Sequence, residues 1–339
     1  MPTHHELQHL QQLLAEGKMT EARLYCESWI KSSPKSTLEA LFQLGTAQLN
    51  LGKMKAAKSA FKKVLTLDPN CAEAHHNLAI LFLRDNQKSK ALEHFKRSLE
   101  LNPNNDTAKH MVMALSGDQS SQSAPANYIA DLFDQYADYY DAHMKEKLHY
   151  QVPGLLRNAV GRCIVNAGGF HAGRILDMGC GTGLCGIYFR DLALDLIGID
   201  LSPKMIEKAD KLGAYDSLQV MEMHDYLSQP TLEAFDVIIA GDTLVYIGDL
   251  ERIFALVTSH LKLKGRFTFT TESLITTESQ EEKPYFLKPT GRYTHSSSYI
   301  HAMAAKNNLT VELEESIIPR EHEGKPIQGQ LYVLINSDN

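Results

Sequence analysis

Through roughly the first hundred residues, apolar positions recur at helical spacing and the whole pattern then repeats. Leu44-Gly45, Gly52, Ala57, Phe61 and Pro69 return as Leu78-Ala79, Asn86, Ala91, Phe95 and Pro103, each 34 residues later. One period earlier, with one extra residue, stand Gly17, Ala22, Cys26 and Pro34. A unit of two antiparallel helices accounts for this spacing. Gly45, Ala57, Ala79 and Ala91 are small enough for close helix approach, and Phe61 and Phe95 fill the groove beside them. Gly52 and Asn86 suit a turn that needs positive φ, and Pro69 and Pro103 end each second helix. Three such units make a continuous core, and His110–Leu115 fits a capping helix. Ser116–Pro125 is small, polar and aperiodic, so it reads as a linker.

After Ala126 the pattern changes to short apolar runs separated by amphipathic stretches. Arg174–Met178, Leu194–Asp200, Leu218–Met223, Phe235–Ala240 and Gly265–Thr271 are strand candidates, with helices expected near 184–192, 203–213, 248–262 and 295–307. Strand–helix alternation of this kind predicts a mostly parallel, doubly wound sheet. Leu309–Ile318 and Gln330–Ile335 have no helix between them and are expected to pair as an antiparallel hairpin. The expected organisation is repeats over 1–117, a linker over 118–127 and a second domain over 128–339.

The chemistry concentrates at Asp177-Met-Gly179-Cys-Gly181-Thr-Gly183. A strand ends at an acidic residue and a glycine-rich turn opens a helix, so the backbone can pass close to a ligand. Asp200 ends the next strand about 20 residues on, where a carboxylate can accept both hydroxyls of a ribose. Gly181-Thr-Gly-Leu-Cys-Gly186 also satisfies the dinucleotide pattern G-x-G-x-x-G. Against NAD stand Gly179, which starts the turn too early for a pyrophosphate, and Asp177, which would repel one. Asp177 can instead pair with the cationic amino group of S-adenosylmethionine, directly or through water. The antiparallel end of the sheet agrees with that choice.

On these residues, about 3–105 resemble the tetratricopeptide repeat, and the chain from Tyr128 resembles a class I S-adenosylmethionine-dependent methyltransferase. It is similar in particular to bacterial predicted methyltransferases that carry such repeats ahead of the catalytic domain. The resemblance implies an α-solenoid followed by a Rossmann-like sheet with an antiparallel terminal strand, and S-adenosylmethionine as cofactor. It implies that Gly179, Gly181 and Gly183 wall the methionine and ribose moieties while Asp177 holds the amino group and Asp200 the ribose. Leu201 and Met205 would pack near the adenine, Asp225 would accept from its amine with Tyr226 alongside, and Gly241-Asp242 would face methyl donor and nucleophile. Phe133–His143 matches a helical lid. Its Tyr136 and Tyr140 either bond the methionine carboxylate or pack the lid onto the sheet.

Methyl transfer from a sulfonium is an in-line displacement that needs no acid, and a base only where the nucleophile arrives protonated. The Asn/Asp-Pro-Pro-Tyr motif of many amino methyltransferases is replaced by Asp242-Thr-Leu-Val-Tyr246, which argues against methylation of DNA bases. Asp242 and Tyr246 remain candidates for orienting an acceptor. Within the long stretch Glu278–Tyr293 and just after it, Arg292, Tyr293 and His295 either line an acceptor pocket or belong to an ordinary surface loop, and Arg292 would suit an acidic acceptor. His143 and His224 are read as packed or solvated rather than as bases. No His/Cys/Asp cluster has metal-ligand spacing, so no metal is expected.

Composition narrows the partners. Residues 1–117 carry a net charge of +4 and the remainder −11 of the total −7, so nucleic acid is an unexpected partner for the second domain. Cys26, Cys71, Cys163, Cys180 and Cys185 form no C-x-x-C pair and read as reduced thiols of a cytoplasmic protein. No apolar run approaches the roughly 18 residues of a membrane span, and the polar start does not resemble a secretory signal. The repeats offer a concave surface for a protein or peptide, or else a structural or dimerising arm. Asn77 stands at the position of a carboxylate clamp, but Gln43 and Gln8 do not match the remainder of that clamp. The expected function is methyl transfer to a protein or protein-delivered acceptor. The alternatives are a scaffold with a cofactor-sensing or inactive methyltransferase domain, and a methyltransferase of small carboxylates or quinone precursors.

Overall fold

The computed structural model describes residues 9, 10, 12, 13, 16, 18–32, 37–166, 173–274, 283–322 and 324–337. They divide into two compact units, Met1–Ser116 and Gly117–Asn339.

The first unit is helical: α1 (Met19–Ser32), α2 (Thr37–Asn50), α3 (Met54–Leu67), α4 (Ala72–Arg84), α5 (Lys88–Leu101) and α6 (Asp106–Ser116). The pairs α2–α3 and α4–α5 are the two 34-residue units. Gly45 of α2 lies against the Phe61 ring of α3, and a Cβ there would stand 2.7 Å from it, so the two helices meet through bare backbone. Phe61, Phe95, Ala57 and Ala91 are fully buried. Gly52 and Asn86 turn the chain at φ 70° and 56°. Cys26 occupies the position of Phe61 and Phe95, buried with Leu10, Leu13, Ala22 and Trp29. Gln8, Gly17 and Pro34 lie outside the described residues.

The second unit opens with α7 (Ala126–Tyr136), a 3₁₀ turn, α8 (Tyr140–Glu146) and α9 (Val152–Asn166). There follow β1 (Gly173–Met178), α10 (Leu184–Phe189), β2 (Ala193–Asp200), α11 (Pro203–Leu212), β3 (Ser217–Val220), α12 (Met223–Leu227), β4 (Phe235–Ala240), α13 (Glu251–Ser259) and β5 (Leu261–Ser273). The last part holds β6 (Tyr285–Leu287), β7 (Tyr293–His295), α14 (Ser297–Lys306), β8 (Leu309–Ile317), β9 (Glu321–His322), β10 (Lys325–Pro326) and β11 (Gly329–Asn336). The sheet runs β3-β2-β1-β4-β5-β11-β8, with β11 antiparallel to both its neighbours. Alternate residues of each strand feed opposite faces. Ile175, Val237 and Ile239 pack with α9 and α10, whereas Leu176, Met178 and Ile238 pack with α12, α13 and α14. The carboxyl ends of β1, β2 and β4 therefore open at one edge, where ligands of such sheets sit.

Two segments differ from expectation. The presumed linker does not hang free. Ser123 forms a β-bridge with Ile247, Gln122 O accepts from Gly248 N at 2.7 Å, and the Gln119 amide exchanges two hydrogen bonds with the backbone of Leu287. Its small polar side chains, which imitate linker composition, let its backbone lie flat on a neighbouring loop. Secondly, the described part of the stretch after β5 is not a loop but the β6–β7 hairpin, and β7 adds to the edge of β5 through Glu272–Thr294 and Ser273–His295.

Candidate active site

The turn after β1 is held in place by backbone bonds. Gly179 N and Cys180 N donate to Ile199 O at 2.8 and 2.9 Å. Asp200 accepts from Gly181 N at 2.9 Å and from Ser202 N at 2.8 Å, so one carboxylate ties the turn to the start of α11. Gly179 and Gly181 have φ of 73° and 56°. A Cβ on Gly179 would collide with Thr243 at 2.6 Å, while one on Gly181 would meet nothing within 4 Å. Gly181 thus presents bare backbone to open space, a cavity of about 680 Å³.

Gly179, Gly181, Asp200, Leu201 and Met221–Asp225 line one side of this cavity, and Gly241, Asp242, Thr243 and Tyr246 line the next. The lid helices supply Ile129, Phe133, Tyr136 and Tyr140. Asp141 accepts from Thr182 Oγ1 and Asp134 from Ser202 Oγ, which pins the lid to the glycine turn and to α11. Tyr136 hydrogen-bonds His143 within the lid. Gln122, Ser123 and Ala124 of the strap Gln119–Ala124, with Pro125 and Ala126 at the start of α7, complete the wall.

Several expected site residues are not brought to the cavity. Asp177 is only 1% exposed. It lies behind the turn, where Tyr215 Oη donates to it at 2.7 Å, and its Oδ1 has no partner among the described residues. Burial pushes its carboxyl up to about 7. Asp200 is likewise raised by burial to about 6, against the pull of its backbone donors. Gly183 caps α10 against Leu212, Tyr215 and Ala209 and serves helix packing instead of the cavity wall. Met205 and Tyr226 are core residues. Of the three acceptor candidates only Arg292 lines the cavity. Tyr293 packs under Gly248. His295 is bonded to the carbonyls of Ile247 and Gly248 at 2.8 and 3.2 Å, and burial drives its imidazole down to about 4.

Arg292 belongs to a buried ionic group at the Asp242 end. Its Nε donates to Glu272 at 2.8 Å, its Nη1 to Tyr246 Oη at 3.0 Å and its Nη2 to Asp242 at 2.5 Å. Arg320 reaches Glu272 at 2.7 Å and Asp242 at 3.3 Å, and Lys288 reaches Glu272 at 2.9 Å. Burial alone would raise the Glu272 carboxyl, but Arg292, Arg320 and Lys288 outweigh it and hold the group far below the usual range. Asp242 itself has φ 58°, a left-handed conformation uncommon for a non-glycine residue. The sequence reading missed Glu272 and Arg320. A carboxylate closing the run Thr270-Thr271-Glu272 in a buried strand was a usable signal, whereas Arg320, between two strands, carried none.

A doubly wound sheet with an antiparallel β11, a glycine turn after β1 and an acidic residue at the end of β2 together define a nucleoside-binding sheet. Residues 170–324 match the methyltransferase domain family, and residues 38–71 and 72–105 each match a tetratricopeptide repeat family. The protein carries a methyltransferase domain behind tetratricopeptide repeats.

Among curated relatives, magnesium-protoporphyrin O-methyltransferase of Rhodobacter capsulatus is 35% identical over 78 residues, covering 22% of this chain and 33% of its own. Malonyl-[acyl-carrier protein] O-methyltransferase 1 of Ilyobacter polytropus is 29% identical over 147 residues, covering 42% of this chain and 48% of its own. The chain spans less than half the length of either relative. Magnesium protoporphyrin IX methyltransferase from Synechocystis PCC 6803, solved with bound SAH, aligns over 62% of this chain and 99% of that one, at 15% identity and a TM-score of 0.47. Among the described residues, no helix is long and apolar enough to cross a membrane.

Proposed function

We propose that the cavity holds S-adenosylmethionine with its ribose on Asp200, its adenine between Leu201 and Met221–Asp225, and its methionine end near Gly179 and Gly241 beneath Tyr136 and Tyr140. The observation that carries this reading is the open face of Gly181 beside Asp200, a trough that any Cβ at Gly181 would enter. The bound cofactor supplies a sulfonium-activated methyl group. The chain's own residues do the rest: the lid excludes water, and Asp242, Tyr246 and Arg292 orient the acceptor at the far end. Alignment of this kind can supply roughly 7–11 kcal/mol of the barrier. Asp177 supports the turn from behind in place of a direct grip on the amino group.

The repeats recruit a protein partner that brings the acceptor to the domain, because a tethered acceptor experiences a raised local concentration. The Ilyobacter relative is an O-methyltransferase of malonyl-[acyl-carrier protein], an acceptor of the protein-borne kind. Calorimetry with S-adenosylhomocysteine tests the cofactor placement. Asp200→Ala is expected to weaken binding by about 30-fold or more, since each lost hydrogen bond to a charged group costs roughly 1.5–3 kcal/mol. Equal affinity in parent and variant would remove Asp200, and with it this placement of the nucleoside.

A further inference from the structure

We propose that the acceptor is a carboxylate, methylated on oxygen to an ester, and that Arg292 and Arg320 are the groups that read its charge; this rests on the methyltransferase reading above. Three cations, Lys288, Arg292 and Arg320, meet two carboxylates, Asp242 and Glu272, so the group carries one positive charge in excess. Lys288 and Glu272 stand behind. Arg292, Arg320 and Asp242 face the cavity, with side chains 14%, 10% and 11% exposed. The four buried charges of Arg292, Arg320, Asp242 and Glu272 balance, and the excess is that of Lys288, 32% exposed; a single carboxylate arriving beside the two arginines brings the whole group to neutrality. Guanidinium groups present planar pairs of donors that match a carboxylate. Glu272, bonded to both guanidiniums, is the positioning residue that keeps them side by side.

Among the described residues, the same end offers no free group to deprotonate an amine or a phenol. Asp242 is engaged by both arginines. Tyr136, Tyr140 and Tyr246 are all raised by burial. His295 is turned away onto backbone carbonyls, His143 is bonded to Tyr136, and Asp249 accepts from Tyr299. His224, paired with Glu222, lies in the wall with Met221 and Asp225. A carboxylate needs no base. Its oxygen forms the bond to the methyl carbon as the carbon–sulfur bond breaks and the electron pair stays on sulfur. An anion and a cation become a neutral ester and a neutral thioether, and no proton moves. The arginines lose their counter-charge in the product, which favours release of the ester.

The full chain, supplied with methyl-labelled S-adenosylmethionine, is offered two acceptor pools: a panel of mono- and dicarboxylic acids with matched amines and phenols, and an extract of the source cells. Label is expected on the acids and not on the amines or phenols, and dilute alkali should release it as methanol from both pools. Arg320→Lys keeps the charge but loses the fork. It should lower kcat/KM for the acids by about 30-fold or more while leaving S-adenosylhomocysteine affinity within a few-fold of the parent. Alkali-stable label, preference for amines or phenols, or no transfer to either pool while S-adenosylhomocysteine still binds would each overturn the proposal. Absence of S-adenosylhomocysteine binding by the parent would instead remove the reading beneath it.

Discussion

Replacing Asp177 by Asn should stabilise the ligand-free protein, and only above about pH 5. The carboxyl ionises at an ordinary value of 3.8 when unfolded and at about 7 in the fold, because it is buried with one donor, Tyr215. A raised acid is neutral in the fold below pH 7, so the stability it contributes at low pH is lost as pH rises from 3.8 through 7. At about 1.4 kcal/mol per unit, the lost stability at pH 8 reaches roughly 4 kcal/mol. Asn removes that charge and keeps the acceptor for Tyr215, but its amide hydrogens lie where Oδ1 had no partner, costing about 1–2 kcal/mol. The net gain at pH 8 is about 2–3 kcal/mol, or roughly 4–12 °C for a domain of this size. Near pH 5 the two terms cancel and the melting temperatures should coincide. Thermal unfolding of parent and variant at pH 5 and pH 8, at equal ionic strength, reads the difference directly. A variant that melts at or below the parent at pH 8, or gains equally at both pH values, refutes the reasoning.

Three further outcomes follow from the same geometry. Gly181→Val adds branches that enter the cavity and strains a residue at φ 56°, so calorimetry should show S-adenosylhomocysteine affinity falling by about tenfold or more at a cost of roughly 1–2 kcal/mol in stability. S-adenosylhomocysteine affinity should be flat above pH 7 and fall below pH 6, where Asp200 with its carboxyl near 6 becomes protonated and stops accepting from ribose; a flat profile down to pH 5 contradicts this. Gly45→Leu drives a side chain into Phe61 and should destabilise the repeats by roughly 1–3 kcal/mol, visible as an earlier helical melt by circular dichroism with cofactor affinity unchanged.

What could be read in advance was whatever is local in sequence. The repeats announced themselves because each unit buries the same positions, so Gly45 and Ala79 recur with Phe61 and Phe95. Asp200 and the glycines were legible because the backbone turn after a strand fixes their spacing to the sheet. Residues whose role depends on a distant partner were not. Tyr293 and His295 looked like pocket residues beside Arg292, yet in a strand successive side chains face opposite sides and their neighbour proved to be the Gly248 loop. Glu272 and Arg320 meet across 48 residues, and nothing in either local pattern points to the other. The charge of Asp177 is legible in its motif; its isolation behind the turn depends on Tyr215, in the loop between α11 and β3, 38 residues away. The strap at Gln119–Ala124 imitates a linker because backbone pairing leaves no mark on composition.

The position of β11 governs when the domain can finish. This strand comes last among the described strands yet lies between β5 and β8, bonded to both along its length. During synthesis, which proceeds from the amino end, the five parallel strands and their helices can assemble first while β8 waits without a neighbour. The nascent domain therefore exposes an open strand edge at β5 until residues 329–336 have left the ribosome, and a chain stopped before β11 would yield a sheet missing an interior strand. Such a product would be a prime substrate for chaperones and proteases, whatever the condition of its glycine turn.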